Sequence, residues 1–335
     1  MKERLKNKKI FVTGGAGFIG SHIVESLVKE GAKVTVYDSF STGTINNLES
    51  VLKEIEVIKG DILDYSKLEK AMKGSDMVSH QAAQLEITRA IENPIEDLAI
   101  NTIGSLNVFK AAVKNKVKKI INASSAGVYG QAEYTPQNED HPTNPNWAYG
   151  VSKLAVEKYS DIFFELYKIP IISLRYSIVY GPREWHGRVL TIFLKRTMEG
   201  KPLIIFGDGK QIRDFIFVKD LVKLHNLCLE NDNLSNEIFN VSSGKGVTIN
   251  QLAKMVLKVT GRPNLKILHE NVIEGKKSRY FNRKRLPIEL KTMVMSYKKA
   301  KEVLGWEPKV SLKEGLSMEY EWLKKNKGRW QKMSY

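Results

Sequence analysis

The chain has 335 residues, enough for a substantial core in one large domain or two smaller ones, and its 42% hydrophobic and 27% charged content is ordinary for a globular protein. The single cysteine, Cys228, excludes an intrachain disulfide and an all-cysteine metal site, and is expected as a buried thiol in a helix. Much of the net charge of +16 lies in Lys-rich runs at 114–119, 276–285 and 324–332, which lack regularly interleaved aromatics; they read as a solvated face that attracts an anionic small substrate, with no nucleic-acid partner expected. No apolar stretch is long enough to span a membrane, and the basic N-terminus lacks a signal-peptide core, so a cytoplasmic protein is expected.

The first predicted strand, 9–13, is β-branched and aromatic and runs into glycines at 14, 17 and 20 before a helix over 21–30. Gly14 allows the tight turn, Gly17 lets a pyrophosphate approach the backbone, and Gly20 lets the helix pack closely on the strand. The exposed amides of the helix N-terminus then hold phosphate. A second strand, 33–37, ends at Asp38, 18 residues after Gly20, where a carboxylate accepts hydrogen bonds from both adenosine ribose hydroxyls. The following segment, 39–43, carries no Arg or Lys for a 2′-phosphate, so NAD is expected over NADP.

Further strands are expected near 55–58, 77–81, 118–123 and 170–175, with helices near 66–73, 95–114 and 148–167. This βα alternation predicts an α/β fold with a doubly wound parallel sheet. After the third strand, Asp61 suits either an adenine contact or the N-cap of the next helix. After the fourth, Ala82 and Ala83 let a cofactor lie against backbone, and His80 reads as a packed core histidine.

The fifth strand leads into Ser124, Ser125 and the segment AGVYG, and 24 residues after Ser125 comes Tyr149, with Lys153 one helical turn on. At i and i+4 both share a helix face, and the ammonium is expected to draw the phenol down from its usual value near 10 into a usable base. The Ser125 hydroxyl at the strand end can share the substrate oxygen's proton.

Together these motifs resemble the extended short-chain dehydrogenase/reductase family, specifically its nucleotide-sugar 4-epimerases of the UDP-glucose 4-epimerase type. The resemblance covers nearly the whole chain: TGGAGFIG at 13–20, NTIGSLN at 101–107, SSAGVYG at 124–130, YGVSK at 149–153, LRY at 174–176, VYGPR at 179–183, FGDGKQIRDF at 206–215 and LGWEP at 304–308. It implies a Rossmann domain over 1–175 and 236–260, and a smaller, discontinuous substrate-binding domain over 176–235 and 261–330. It implies an NAD-dependent isomerase inverting C4 of a nucleoside-diphosphate hexose through a 4-keto intermediate, working as a homodimer. Cofactor contacts are expected from Gly14, Gly17, Phe18, Ile19, Asp38, Gly43, Asp61, Ile62, Ala82 and Ala83, with Tyr149 and Lys153. Ser125, Tyr149 and Lys153 are expected to be catalytic, and Ser177, Val189, Arg213 and Arg279 to bind substrate. Arg213 would grip the diphosphate bidentately, or form a structural pair with Asp214 or Asp220. Two departures stand out: Ile178 follows Tyr176 and Ser177 where the family usually has Asn, and 276–295 is unusually basic. A 4,6-dehydratase would need an Asp-Glu pair directly after Ser125, where Ala126 and Gly127 stand instead. A non-catalytic RNA-binding member is disfavoured by the intact Ser125, Tyr149 and Lys153.

Overall fold

The computed structural model describes residues 4–184, 188–273, 275–281, 284–285 and 288–330. Parts of the 182–188 loop and of the 276–295 segment, and the end of the basic tail, therefore lie outside the described residues. The strands are β1 (Lys9–Thr13), β2 (Lys33–Asp38), β3 (Ile55–Lys59), β4 (Met77–His80), β5 (Lys119–Ser125), β6 (Ile171–Tyr176), β7 (Ile178–Tyr180), β8 (Leu203–Phe206), β9 (Ile212–Phe217), β10 (Ile238–Val241), β11 (Gly246–Thr248), β12 (Ile267–Glu270) and β13 (Thr292–Met293). The helices are α1 (Phe18–Lys29), α2 (Tyr65–Ala71), α3 (Ile87–Glu92), α4 (Pro94–Leu98), α5 (Gly104–Lys114), α6 (Ala148–Tyr167), α7 (Val189–Met198), α8 (Val218–Glu230), α9 (Ile249–Val259), α10 (Lys298–Leu304), α11 (Leu312–Lys325) and α12 (Lys327–Trp330).

The expected βα alternation forms a seven-stranded parallel sheet in the order β10-β6-β5-β4-β1-β2-β3. The chain winds outward through β2 and β3, then returns to place β4 beside β1. That reversal opens a crevice at the carboxyl ends of β1 and β4, where α/β sheets bind ligands. One face carries α1 and α8, whose Ile23, Val24, Leu27 and Cys228 pack on Ile10 and Val12. The other carries α2, α5 and α6, with Phe109 and Val156 against Phe11 and Val78. Near-continuous apolar strands follow from this burial on both faces.

A second core joins β7, β8, β9, α7, α9 and α11 through Phe193, Phe215, Phe217, Leu252 and Leu316. In it β9 lies between β11 and β13 and also pairs β7, while β8 pairs β12. Two local expectations change. The 95–114 helix is split by a π-helical turn, Ala99–Ile103, and α3 precedes it. Asp64, not Asp61, caps α2, its side chain accepting from the Lys67 amide at 3.1 Å. After α11 ends at Lys325, the short helix α12 carries the chain to Trp330. No helix among the described residues is long and apolar enough to cross a membrane.

Candidate active site

Six strand ends converge on one cleft of about 540 Å³. Gly14 leaves β1 at φ +67°, and a Cβ there would lie 2.6 Å from the Ala82 amide after β4, so glycine brings the two switch-point loops together. A Cβ on Gly20 would lie 2.1 Å from the Gly14 carbonyl. Asp38 ends β2, buried, with Oδ2 accepting from the Ala16 amide at 2.9 Å and Oδ1 from the Phe40 amide at 2.8 Å. Burial pushes its carboxyl up, and those two amides pull it back down. Each Asp38 oxygen keeps a second lone pair, so a ribose diol fits the carboxylate as it stands. The lining beyond it, Ser39, Ser41 and Thr42, is neutral.

At the other end stand Ser125, Tyr149 and Lys153. Ser125 Oγ accepts from the Gly127 amide at 3.1 Å and stands close enough to Tyr149 to act on its phenol. A Cβ on Gly150 would lie 2.4 Å from the Gly127 carbonyl, so the glycine pair seats the start of α6 against the loop after β5. Burial pushes the Tyr149 phenol up, while the Arg188 guanidinium and the Ser125 hydroxyl pull the other way. The ammonium expected to draw the phenol down instead donates from Lys153 Nζ to the Ala123 carbonyl at 2.8 Å. Burial lowers Lys153 itself to about 8, against the attraction of Asp97 and Glu157. The helix–loop junction is held from behind: buried Asp97 accepts from Ser152 Oγ at 2.7 Å and from Asn101 Nδ2 at 2.8 Å, and Asn101 pins both backbone groups of Gln84. The π-turn places Asn101 for this role.

His80 is the packed histidine its surroundings imply. Ser105 Oγ gives its proton to the Asn101 carbonyl, so it accepts from His80 Nε2, and Nδ1 then accepts from Thr13 Oγ1 at 2.7 Å. Burial drives its imidazole down to about 3, so the ring stays neutral.

Of the residues singled out from sequence, the cleft brings together Gly14, Gly17, Phe18, Ile19, Asp38, Asp61, Ile62, Ala82, Ala83, Ser125, Tyr149, Lys153 and Ser177. Gly43, Val189, Arg213 and Arg279 are not among its lining residues. Gly43 packs instead on the glycine turn, where a Cβ would lie 2.9 Å from the Ala16 carbonyl carbon. Arg279 is mostly exposed and faces Glu270, with Nε to Oε1 at 3.6 Å. Arg213 pairs with neither Asp214 nor Asp220 but with Glu289, at 3.6 Å, and Arg285 approaches the same carboxylate at 3.1 Å. Sequence reasoning missed Gln81, Gln84, Arg89, Glu96, Tyr176, Glu184 and Arg188 in the lining. Arg89 and Glu96 form a two-pronged pair at 2.9 and 2.6 Å, and only their spacing across the Pro94 break could have signalled it.

Residues 10–242 match the NAD dependent epimerase/dehydratase family. The chain is 32% identical over 324 residues to UDP-glucose 4-epimerase of Mycolicibacterium smegmatis, covering 94% of this chain and 98% of that one. Its structure is similar to that of Thermotoga maritima UDP-glucose 4-epimerase with UDP-glucose, at TM-score 0.86 and 35% identity, covering 95% of this chain and 99% of that one. It is also similar to Thermus thermophilus UDP-glucose 4-epimerase in complex with NAD, at TM-score 0.84 and 32% identity, covering 95% and 99%. With the family match spanning most of the chain, its glycine turn, serine strand end and Tyr149–Lys153 pair in one cleft, this protein belongs to the NAD dependent epimerase/dehydratase family.

Proposed function

We propose that this protein inverts C4 of a nucleoside-diphosphate hexose, as the names of its UDP-glucose 4-epimerase relatives suggest. The observation that carries the reading is that Ser125, Tyr149 and Lys153 line one cleft, with Tyr149 one helical turn before Lys153. Tyr149 takes the C4 hydroxyl proton, and Ser125 hydrogen-bonds O4 and steadies the phenol. The Arg188 charge favours the phenolate that this step needs. Lys153 binds the nicotinamide ribose. Bound NAD would supply a reversible hydride acceptor for C4. The 4-keto sugar presents its other face between the two transfers, and Tyr149 returns the proton. Arg213 holds the diphosphate, and Arg285, which shares Glu289 with it, replaces Arg279 as the second cation. Residues 176–235 and 261–330 make up the substrate-binding part. A 4,6-dehydration is disfavoured, because Ala126 and Gly127 offer no acid–base pair after Ser125. Following UDP-, GDP-, dTDP- and CDP-hexoses by NMR should reveal C4 inversion of one of them. Water loss to a 4-keto-6-deoxy sugar, with no inversion, would overturn the reading.

NAD is chosen over NADP because Asp38 would repel a 2′-phosphate and the neutral lining beyond it offers no cation. Protein purified and denatured should release NAD(H). A predominance of NADP(H) would refute the role given to Asp38.

The same proposal includes a cytoplasmic homodimer. One face of α6 leaves Val151, Ile162 and Leu166 at least half exposed, and Ile95 and Ile103 are similarly bare on the preceding helices. An apolar surface of this kind is a dimer contact when two copies bury it as a four-helix bundle. Light scattering should give twice the 38.0 kDa chain mass, and Ile162→Asp with Leu166→Asp should halve it. A monomer at micromolar concentration would sink the dimer.

A further inference from the structure

Four buried or partly buried arginines of this protein are tied to carboxylates. Arg175 is paired with Glu157 at 2.7 Å, Arg183 with Glu25 at 2.6 Å, and Arg213 and Arg285 with Glu289. Arg188 differs. It lines the cleft with Ser125, Tyr149 and Ser177, yet no hydrogen bond or ion pair to its guanidinium is found among the described residues. Glu184 lines the same cleft, but its carboxyl is buried and acts on Glu319. A second group in the cleft also lacks a partner among the described residues: Ser177 Oγ is buried and makes no hydrogen bond to them. Buried hydroxyls are normally satisfied, so this one points to a polar group on the ligand.

Arg188 sits close enough to Tyr149 to act on its phenol. Under the C4-inversion reading, on which this inference rests, O4 of the sugar lies at Tyr149 and Ser125. C6 is two bonds from C4, whereas the diphosphate hangs on C1 across the ring. The place beside the base therefore belongs to the substituents on C3 and C5, of which only C6 can carry a carboxylate. A hydroxymethyl there would leave a desolvated guanidinium uncompensated, which is costly. A carboxylate would take two parallel N–H···O bonds from it and leave an oxygen lone pair for Ser177 Oγ–H. We infer that the hexose this cleft takes is a uronate, with Arg188 and Ser177 gripping its C6 carboxylate. C4 inversion of such a sugar moves only a hydride and a proton out and back, so the C5–C6 bond stays intact.

The test measures calorimetric binding of UDP, UDP-glucose and UDP-glucuronate to NAD-loaded wild type and Arg188→Gln, with NMR of the products. The wild type should bind UDP-glucuronate about 10–100-fold tighter than UDP-glucose, the range for a charge-assisted pair out of water. Arg188→Gln should erase that preference and leave UDP affinity within about threefold, since the lost bonds are to the sugar alone. Arg188→Lys should keep part of it, because the charge survives and the fork does not. Equal or tighter wild-type binding of UDP-glucose would overturn the carboxylate site. So would an equal loss for all three ligands in Arg188→Gln, which would place the guanidinium on the diphosphate. The two readings fail separately. Inversion of UDP-glucose without uronate preference sinks the carboxylate site alone. Uronate preference with release of CO₂ and a UDP-pentose upholds the site and sinks C4 inversion.

Discussion

Replacing Tyr149 by Phe should lower C4 inversion by about 10²–10⁴, the usual contribution of a positioned acid–base group, while the fold and the bound NAD survive. The ring keeps its packing against Gly127, whose Cβ position is 3.7 Å from Tyr149 Cδ1. Only the ionisable oxygen is lost. The pH profile supplies a second readout. Burial holds the phenol above its ordinary value, so the rate in the wild type should climb with pH as the phenol ionises. That rising limb should vanish in Tyr149→Phe. Lys153 contributes in the opposite direction: its folded pKa is lowered to about 8, so above that pH it loses the charge that binds the ribose, and cofactor retention should weaken. Assays of inversion on the sugar found by NMR, from pH 6 to 10, check both limbs. A variant rate within about threefold of wild type, far inside the expected loss, would mean that the base lies elsewhere.

The sheet was readable because period and punctuation agreed at each strand: β1 ends where Gly14 takes φ +67°, and β2 ends at Asp38. The cofactor side of the cleft was readable for the same reason, since its residues are strand ends in chain order. The sugar side was less so. Arg188 immediately precedes α7, and nothing in local spacing places it beside Tyr149. Other motifs that carried the family resemblance do structural work. Arg183 of VYGPR docks on α1 through Ser21 Oγ at 3.0 Å and Glu25 at 2.6 Å. Asp214 of the RDF segment is buried and accepts from Ser243 and Gly244, with burial pushing its carboxyl to about 6. Trp306 of LGWEP donates to the Asp220 carbonyl at 3.0 Å. A motif marks the family whether its side chains meet the substrate or brace the scaffold, and only the fold separates the two. The pull of Lys153 on Tyr149 failed as an expectation because a helical i, i+4 spacing fixes a shared face but not the direction of a long side chain, and β5 offers Lys153 the Ala123 carbonyl.

The largest stability effect should come from Glu157, which no motif singled out. Its carboxylate lies two turns beyond Tyr149 on α6 and is almost fully buried. Oε1 accepts from Arg175 Nε at 2.9 Å and from Ser124 Oγ at 2.5 Å, and Oε2 accepts from Arg175 Nη2 at 2.7 Å. Arg175 continues to Tyr129 Oη at 2.9 Å, and Tyr129 donates to Asn240 at 2.7 Å, so one network ties β5, β6, β10 and α6 together. Removing one partner of a buried pair strands the other charge, which costs about 3–5 kcal/mol. Glu157→Ala adds a small cavity to that loss. Thermal unfolding should therefore fall by roughly 5–10 °C. Glu157→Leu combined with Arg175→Met should recover much of the loss, because the orphaned charge goes too and the volume is refilled. Activity should drop further in Glu157→Ala than stability alone explains. Ser124, released from Glu157, no longer fixes the strand end that carries Ser125, and a shift of about 1 Å between positioned groups can cost 10²-fold in rate. The NAD-loaded protein, assayed well below its unfolding temperature, separates the two effects. Full activity with a lowered melting point would confine Glu157 to the scaffold, and unchanged melting would mean that Arg175 finds another partner.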